Sequence, residues 1–251
     1  MSTNKAIVRA PGSRYSDCLS SHPLKRTIDL VNARNQHARY CAALSELGME
    51  VICLEMDDEH PDSCFVEDVA VVHNGKALMC RTAKESRQGE EGPVRETLSQ
   101  YVSIGFAAAP ATIEGGDVVH FDDRLICGIT QRTNDDGAEQ MGEWLEIKID
   151  VVRDPKIMHL KSYMSSLGTG RLLVTERYAD TTVLGELDLL VVPSEEWYGS
   201  NVIAVDDSVI MSKGYPRTEA ILKSNGYRVI ALDMTEFPKC EGALTCLSIL
   251  F

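Results

Sequence analysis

Several things are scarce in this chain, and each scarcity removes a class of function. No stretch approaches the ~18 consecutive apolar residues of a membrane span, and the start, residues 1–8, lacks the longer apolar core of a secretory signal. Cationic residues are in the minority: 25 Lys and Arg stand against 38 Asp and Glu, for a formal net charge of -13. Such a balance disfavours nucleic acid and anionic membrane as partners, because both reward Lys/Arg patches. It suits solubility and is compatible with a small cationic ligand. Neither a GxxxxGK[ST] loop nor a GxGxxG placed between a strand and a helix occurs, which removes the main nucleotide-binding readings. The eight cysteines (Cys18, Cys41, Cys53, Cys64, Cys80, Cys127, Cys240 and Cys246) include no CxxC pair and no zinc-type spacing. Reduced thiols, no metal, no cofactor and a cytoplasmic, disulfide-free protein are the expectation. No Pro/Gly/Ser-rich linker divides the 251 residues, so one domain over 1–251 is expected.

What is present reads as short strands separated by single helices. A strand over 5–9 ends at Pro11-Gly12. Thr27 then precedes helically spaced apolar positions from Leu30 to Leu47, with Gly48 as the stop. His37 on that stripe reads as packing. Strands follow at 50–54, 64–72 and 77–81, the last pair joined by the hairpin signal Asn74-Gly75. A helix over 93–101, strands at 118–121 and 125–129, and a helix from about 134 to 147 capped by Asn134 or Thr133 come next. The second half offers strands at 156–160, 172–175, 189–192, 202–205 and 209–211, a helix over 217–224, and a strand over 227–232. Strand pairs alternating with helices thus recur about five times, in units of roughly 50 residues.

Chemistry concentrates in three places. Cys246 stands five residues from the end, behind Gly242, in an apolar run. Alone it reads as a small buried hydrophobe. His159 in Lys156-Ile157-Met158-His159-Leu160-Lys161-Ser162 and Glu114 in Ile113-Glu114-Gly115-Gly116-Asp117 change that, since cysteine, histidine and carboxylate make a nucleophile, a base and an orienting group. Glu67 and Asp68 interrupt the apolar run 64–72, a costly placement unless they are paired or kept for a cation. Asp62 lies just upstream.

The stretches Pro61-Asp62-Ser63-Cys64-Phe65-Val66-Glu67-Asp68, Glu85-Ser86-Arg87, Glu114-Gly115-Gly116-Asp117, Arg132-Thr133-Asn134, His159-Leu160-Lys161-Ser162, Gly214-Tyr215-Pro216-Arg217-Thr218 and Gly242-Ala243-Leu244-Thr245-Cys246 resemble, in the same order, those of the dimethylarginine dimethylaminohydrolases. These belong to the guanidino-group-modifying (pentein) superfamily. The resemblance spans most of the chain and implies a five-fold pseudosymmetric α/β propeller of ββαβ units. It implies Cys246 as nucleophile, His159 as general acid and base, and Glu114 as the carboxylate orienting the imidazole. Asp62, Phe65, Glu67 and Asp68 fall where the family holds the guanidinium and shapes the pocket. Arg87 and Arg132 match its carboxylate-binding arginines, and the loop around Cys18 and Leu19 corresponds to its mobile lid. Asn201 departs from the family context, Ser200-Asn201-Val202 replacing Ala-Asn-Cys. The implied ligand is a small cationic guanidino amino acid, and the implied assembly a homodimer. An arginine deiminase or another guanidino-group hydrolase shares the triad, and the superfamily also contains non-catalytic binding modules.

Overall fold

The computed structural model describes residues 4–168 and 170–251. In chain order the first half contains β1 (Lys5–Arg9), α1 (Leu30–Glu46), β2 (Glu50–Leu54), β3 (Ala70–His73), β4 (Lys76–Met79), α2 (Glu91–Leu98), β5 (Ser103–Phe106), β6 (Val118–His120), β7 (Arg124–Ile129) and α3 (Asp135–Leu145). The second contains β8 (Lys148–Arg153), β9 (Met164–Ser166), β10 (Arg171–Thr175), β11 (Asp188–Val192), β12 (Ile203–Val205), β13 (Ser208–Ser212), α4 (Pro216–Ser224), β14 (Arg228–Leu232) and β15 (Ser248–Leu250).

These strands form five three-stranded sheets built to one plan, in a mixed α/β fold. A central strand pairs antiparallel with one neighbour and parallel with the strand reached after a crossover: β3-β4-β5, β6-β7-β8, β9-β10-β11 and β12-β13-β14. The fifth sheet joins the two ends of the chain, with β15 antiparallel and β2 parallel to β1. Parallel neighbours need a crossover, which is why helices α1, α2, α3 and α4 stand between β1 and β2, β4 and β5, β7 and β8, and β13 and β14. Between β10 and β11 that place is taken by a 3-10 turn, Thr182–Leu184.

Strand alternation explains the packing. Successive side chains point to opposite faces, so Ile7 joins an apolar cluster shared with β3 and β4 while Ala6 and Val8 join one shared with β12 and β13. Leu78 faces β6 and β7, and its neighbours Ala77 and Met79 face β1. Leu172 and Leu173 divide in the same way between β6–β7 and β13. Each sheet is therefore covered on both faces by its neighbours, which is the reason the central strands read as continuous apolar runs instead of alternating ones. No helix among the described residues is long and apolar enough to cross a membrane.

The structure corrects several expectations. Helix α1 is capped by Asp29, whose carboxylate accepts from the Asn32 N–H, while Thr27 ends a separate 3-10 turn. Run 64–72 is only half strand: Val66–Val69 is a 3-10 turn, and it brings Glu67 and Asp68 inward. Segment 156–160 is not a strand, because Asp154 caps a turn there through the Lys156 N–H, and β8 and β9 lie on either side. Helix α2 starts at Glu91, and β5, a partly exposed edge strand of Ser, Ile, Gly and Phe, is not evident in the sequence because Gly105 breaks its pattern. The chain is also not disulfide-free. Cys18 and Cys240 are bonded across a sequence separation of 222, a pairing that local spacing rules do not reach.

Helix α1 is fastened to β15 by the fully buried Tyr40, whose hydroxyl shares a 2.7 Å hydrogen bond with Ser248 Oγ. Tyr40→Phe leaves the serine unpaired and is expected to lower stability by about 1–3 kcal/mol in urea unfolding. A change within about 0.3 kcal/mol would mean that the contact does not hold.

Candidate active site

Every antiparallel first strand of a sheet is preceded by a 3-10 turn, and each of the five turns carries or flanks a polar or thiol side chain that faces the others. Val66–Val69 holds Glu67 and Asp68, and Glu114 caps Gly115–Asp117. His159 caps Leu160–Ser162, Asn201 closes Ser194–Ser200, and Cys246 lies in Thr245–Leu247. Neighbouring turns touch one another, and Asn201 completes the circle by donating to Thr245 Oγ1 at 3.1 Å and accepting from the Thr245 N–H at 3.0 Å. Residues far apart in the chain meet because each unit contributes its equivalent position.

The turns are themselves held by buried polar contacts. Asp117, fully buried, accepts from the hydroxyls of Thr130 and Thr133 and from the Leu160 N–H at 2.9 Å, fixing the chain just past His159. Burial lifts its carboxyl to about 6 despite those donors and the nearby imidazole. Gly116 is required by close approach, since a Cβ there would lie 2.8 Å from the His159 ring. Gly242 has the same reason: a Cβ would come within 2.3 Å of the Phe65 ring.

One pocket is bordered by Leu19, Asp62, Phe65, Asp68, Arg87, Arg132, His159 and Cys246, all singled out in the sequence, together with Met158, Cys240, Glu241 and Gly242. Two expected residues stand elsewhere. Glu114 lies behind the imidazole, its Oε2 2.8 Å from His159 Nε2 and its Oε1 3.5 Å from Arg132 Nη1. Glu67 is paired with Lys161 Nζ at 2.6 Å and accepts from Thr245 Oγ1 at 2.9 Å, so its charge is already countered. A separate hollow beside Phe106 and Trp144 contains none of this chemistry.

The two arginines differ. Arg87 is largely engaged: Nη1 meets Asp68 at 2.7 Å, Nη2 donates to Glu90 at 2.8 Å and to the Phe65 carbonyl at 3.3 Å, and Nε donates to Glu90, which leaves one Nη1 N–H. Arg132 reaches Met158 Sδ with Nη2, while its buried Nη1 has no hydrogen-bond partner. Glu90, Lys161, Thr245 and Asp117 are not identified from sequence as part of the site. Their spacing carries no sign of it, although Asp117, Lys161 and Thr245 sit inside the motifs quoted above.

Electrostatics set the resting protonation. Burial opposes charge on His159, but Asp68 at 3.7 Å, the hydrogen bond that His159 donates to Glu114, and Asp117 outweigh it and lift the imidazole to about 9. Asp68 falls below its ordinary range: burial would raise it, and His159 and Arg87 overcome that. The Cys246 thiol is pushed up by burial and by the charges of Glu67 and Asp68. Both shifts favour the protonated forms, imidazolium and thiol, of two groups that share the pocket. Asp62, raised by burial, accepts two contacts from the Leu19 N–H, at 3.0 and 3.2 Å. Asp68, Glu114 and His159 have the donor atoms and the closeness to gather a cation, yet the arginines, the imidazole and the Gly116 N–H already occupy them.

The cavity thus gathers a thiol, an imidazole bonded to a carboxylate, two further carboxylates and a guanidinium. Comparisons with known proteins give the family. The family model described as eukaryotic N,N dimethylarginine dimethylhydrolase matches residues 16–181. The N(G),N(G)-dimethylarginine dimethylaminohydrolase of Pseudomonas aeruginosa is 34% identical over 98% of this chain and 98% of its own. Its Streptomyces coelicolor counterpart is 33% identical over 99% of this chain and 97% of its own. A cysteine-to-serine variant of the Pseudomonas enzyme complexed with citrulline superposes with a TM-score of 0.96, at 33% identity and full coverage of both chains. The product-bound N-terminal domain of ArgZ, a cyanobacterial arginine dihydrolase, is 20% identical with a TM-score of 0.88, covering 98% of this chain and 96% of that one; at that identity it bears on the fold alone.

A histidine held at about 9 in the folded protein, against 6.5 unfolded, stabilises it fully below pH 6.5 and ceases to do so as pH rises through 9. Proton-detected NMR of His159 in the unliganded protein is expected to show the alkaline midpoint, shifted down in Asp68→Asn. A midpoint at or below 6.5 in the unsubstituted protein would contradict the charge arrangement.

Proposed function

Since the chain belongs to the dimethylarginine dimethylaminohydrolase family, we propose that it hydrolyses asymmetric dimethylarginine and monomethylarginine to citrulline and dimethylamine or methylamine. The observation that carries this reading is the shared pocket of Cys246, His159, Asp62, Asp68 and Arg132, with Glu114 bonded to the imidazole at 2.8 Å. In this reading the five sheets are the blades of an α/β propeller of ββαβ units, forming one catalytic domain over residues 1–251.

A guanidinium carbon is a poor electrophile, and an amine leaves only when protonated. Covalent catalysis divides the difficulty. The substrate cation sits against Asp62 and Asp68, beside Phe65. Its arrival offsets the negative charge that holds the Cys246 proton, so the thiol ionises in the complex and its proton passes to solvent, where the released amine takes one up. The sulfur attacks the guanidinium carbon, the bond from carbon to the methylated nitrogen breaks, and His159 supplies the proton that the departing amine needs. An S-alkylthiouronium remains. Neutral His159 then takes a proton from water as it adds to the same carbon, the C–S bond breaks, and citrulline leaves with the thiol restored. Glu114 keeps the imidazole oriented throughout. Glu67, held by Lys161 and Thr245, braces the turn that carries Cys246.

At the far end Arg132 is the freer cation for the substrate carboxylate, while Arg87 contributes from within its pair with Asp68 and Glu90. The Leu19 loop covers the amino-acid end.

Assaying citrulline or ureido product from asymmetric dimethylarginine, monomethylarginine, arginine and agmatine is expected to show preference for the methylated substrates. A preference for arginine with release of ammonia would replace this reading with a deiminase. Cys246→Ser is expected to lower kcat at least about a thousandfold with the fold retained; lesser loss would remove Cys246 as nucleophile. Arg132→Ala is expected to raise KM roughly tenfold or more for substrates bearing a carboxylate, through loss of charge-assisted hydrogen bonds. An equal effect on agmatine, which has no carboxylate, would contradict the assignment.

A further inference from the structure

We infer that Cys18 and Cys240 are a redox site in the pocket wall, a disulfide whose exchange with a small thiol releases the Leu19 loop and opens the active site. The inference rests on the function proposed above only for the meaning of the pocket; the bond and the loop are observed independently of it.

The bond joins the two segments that flank the pocket mouth, with Cα atoms 5.9 Å apart. Tyr15, at the base of the loop, is fully buried against Phe65 and Phe237 and is anchored without help. Beyond Cys18 the chain turns outward, and Leu19 and Leu24 are exposed. Apart from the disulfide, the loop beside it is held by polar contacts: the Leu19 N–H on Asp62, Ser20 Oγ on the Lys239 carbonyl at 2.9 Å, the Ser21 N–H and Oγ on Glu241 Oε1 at 3.1 and 2.7 Å, and, farther along, Lys239 Nζ on the Thr27 carbonyl at 3.0 Å. Partly solvated polar contacts contribute little each, so the covalent bond dominates the restraint. Its other end belongs to the segment Cys240, Glu241 and Gly242, which borders the pocket and leads into the turn bearing Cys246. The remaining six cysteines are thiols, so the pairing is selective. Under the cytoplasmic location expected from the sequence, disulfides are chiefly of the transient, redox-sensing kind.

The geometry also orders the exchange. Both cysteines are buried, but Cys240, 3% exposed, borders the pocket and Cys18 does not. A thiolate entering there attacks Cys240 Sγ, the S–S bond breaks, and Cys18 Sγ leaves as a thiolate and takes up a proton. A second thiol attacks the mixed disulfide on its own sulfur side, releasing Cys240 as a thiol. Two small thiols are oxidised to one small disulfide, and the protein disulfide is reduced to two thiols. Because the reductant uses the substrate's entrance, pocket ligands should compete with it.

The test uses the full chain purified in air. Peptide mapping without reductant is expected to recover the Cys18 peptide linked to the Cys240 peptide, and citrulline is expected to slow their separation by dithiothreitol. After reduction and removal of dithiothreitol, carbamidomethylation of Cys246, followed by mass spectrometry, is expected to accelerate about tenfold as the loop opens. KM for asymmetric dimethylarginine should rise by a similar factor. Cys18→Ser should show the accelerated labelling from the outset and no response to dithiothreitol. Should that variant not fold, the reduced unsubstituted protein supplies the same comparison. Free thiols at both positions in the air-purified protein would overturn the inference, and so would a Cys246 labelling rate that reduction changes by less than about twofold. Labelling does not require turnover, so an absence of citrulline production would count against the proposed function alone.

Discussion

An imidazole enclosed by carboxylates is the constraint on which the rest of the site depends. His159 has Glu114 at hydrogen-bond distance, Asp68 at 3.7 Å and Asp117 beneath the next residue. Three acids in a buried space repel one another and would lose their charge unless cations were supplied. The protein supplies His159 itself, Arg87 against Asp68, and Arg132 against Glu114. The protonated histidine is therefore a structural counter-ion as well as a chemical group. Asp68 links this balance to the thiol, because it both helps to hold a proton on the imidazole and, with Glu67, resists ionisation of Cys246.

This dependence explains the pairing of Arg87 with two carboxylates. With Asp68 alone, the guanidinium would have donors to spare and could rotate toward the pocket. Glu90 fixes its other edge through Nε and Nη2. Asp68 is thereby left with one oxygen for Arg87 and the other for the Gly116 N–H and the imidazole. A residue remote from the reacting atoms thus decides the direction in which a pocket carboxylate points.

Much of this is legible in the sequence, and the illegible remainder follows a pattern. Central strands such as 171–175 are readable because burial on both faces demands uninterrupted apolar residues, and Asn134 is readable as a cap because its side chain competes for the first free N–H groups of α3. Cys246, His159 and Glu114 stand out because their residue types are chemically unusual in apolar surroundings. The 3-10 turns are not readable: 66–69 and 160–162 are too short for a period to declare itself, and the first mimics a strand in composition. Lys161 and Glu90 are easily passed over because a charged residue in a polar stretch ordinarily faces solvent; Glu67 is revealed as the partner of Lys161 only by tertiary closeness, and the local pair of Glu90 with Arg87 carries no sign in the sequence that it is buried. The bond between Cys18 and Cys240 is hidden for the same reason, its two ends meeting only when β15 returns to β1.

That return also restrains the segment that carries Cys246. Here β15 pairs with β1 while Ile249 fills the cluster shared with Ile7, Val72 and Leu98. On its other side Tyr40 grips Ser248, two residues past the thiol. Thr245, one residue before it, is held by both Asn201 and Glu67. The sulfur thus lies between restraints from several units of the chain, and the Cys246 turn cannot shift without disturbing the Glu67–Lys161 pair beside the imidazole's own turn. Positional accuracy at the reacting atom follows from closing the circle of sheets, so the strand that completes the fold and the residue proposed to do the chemistry occupy the same few positions.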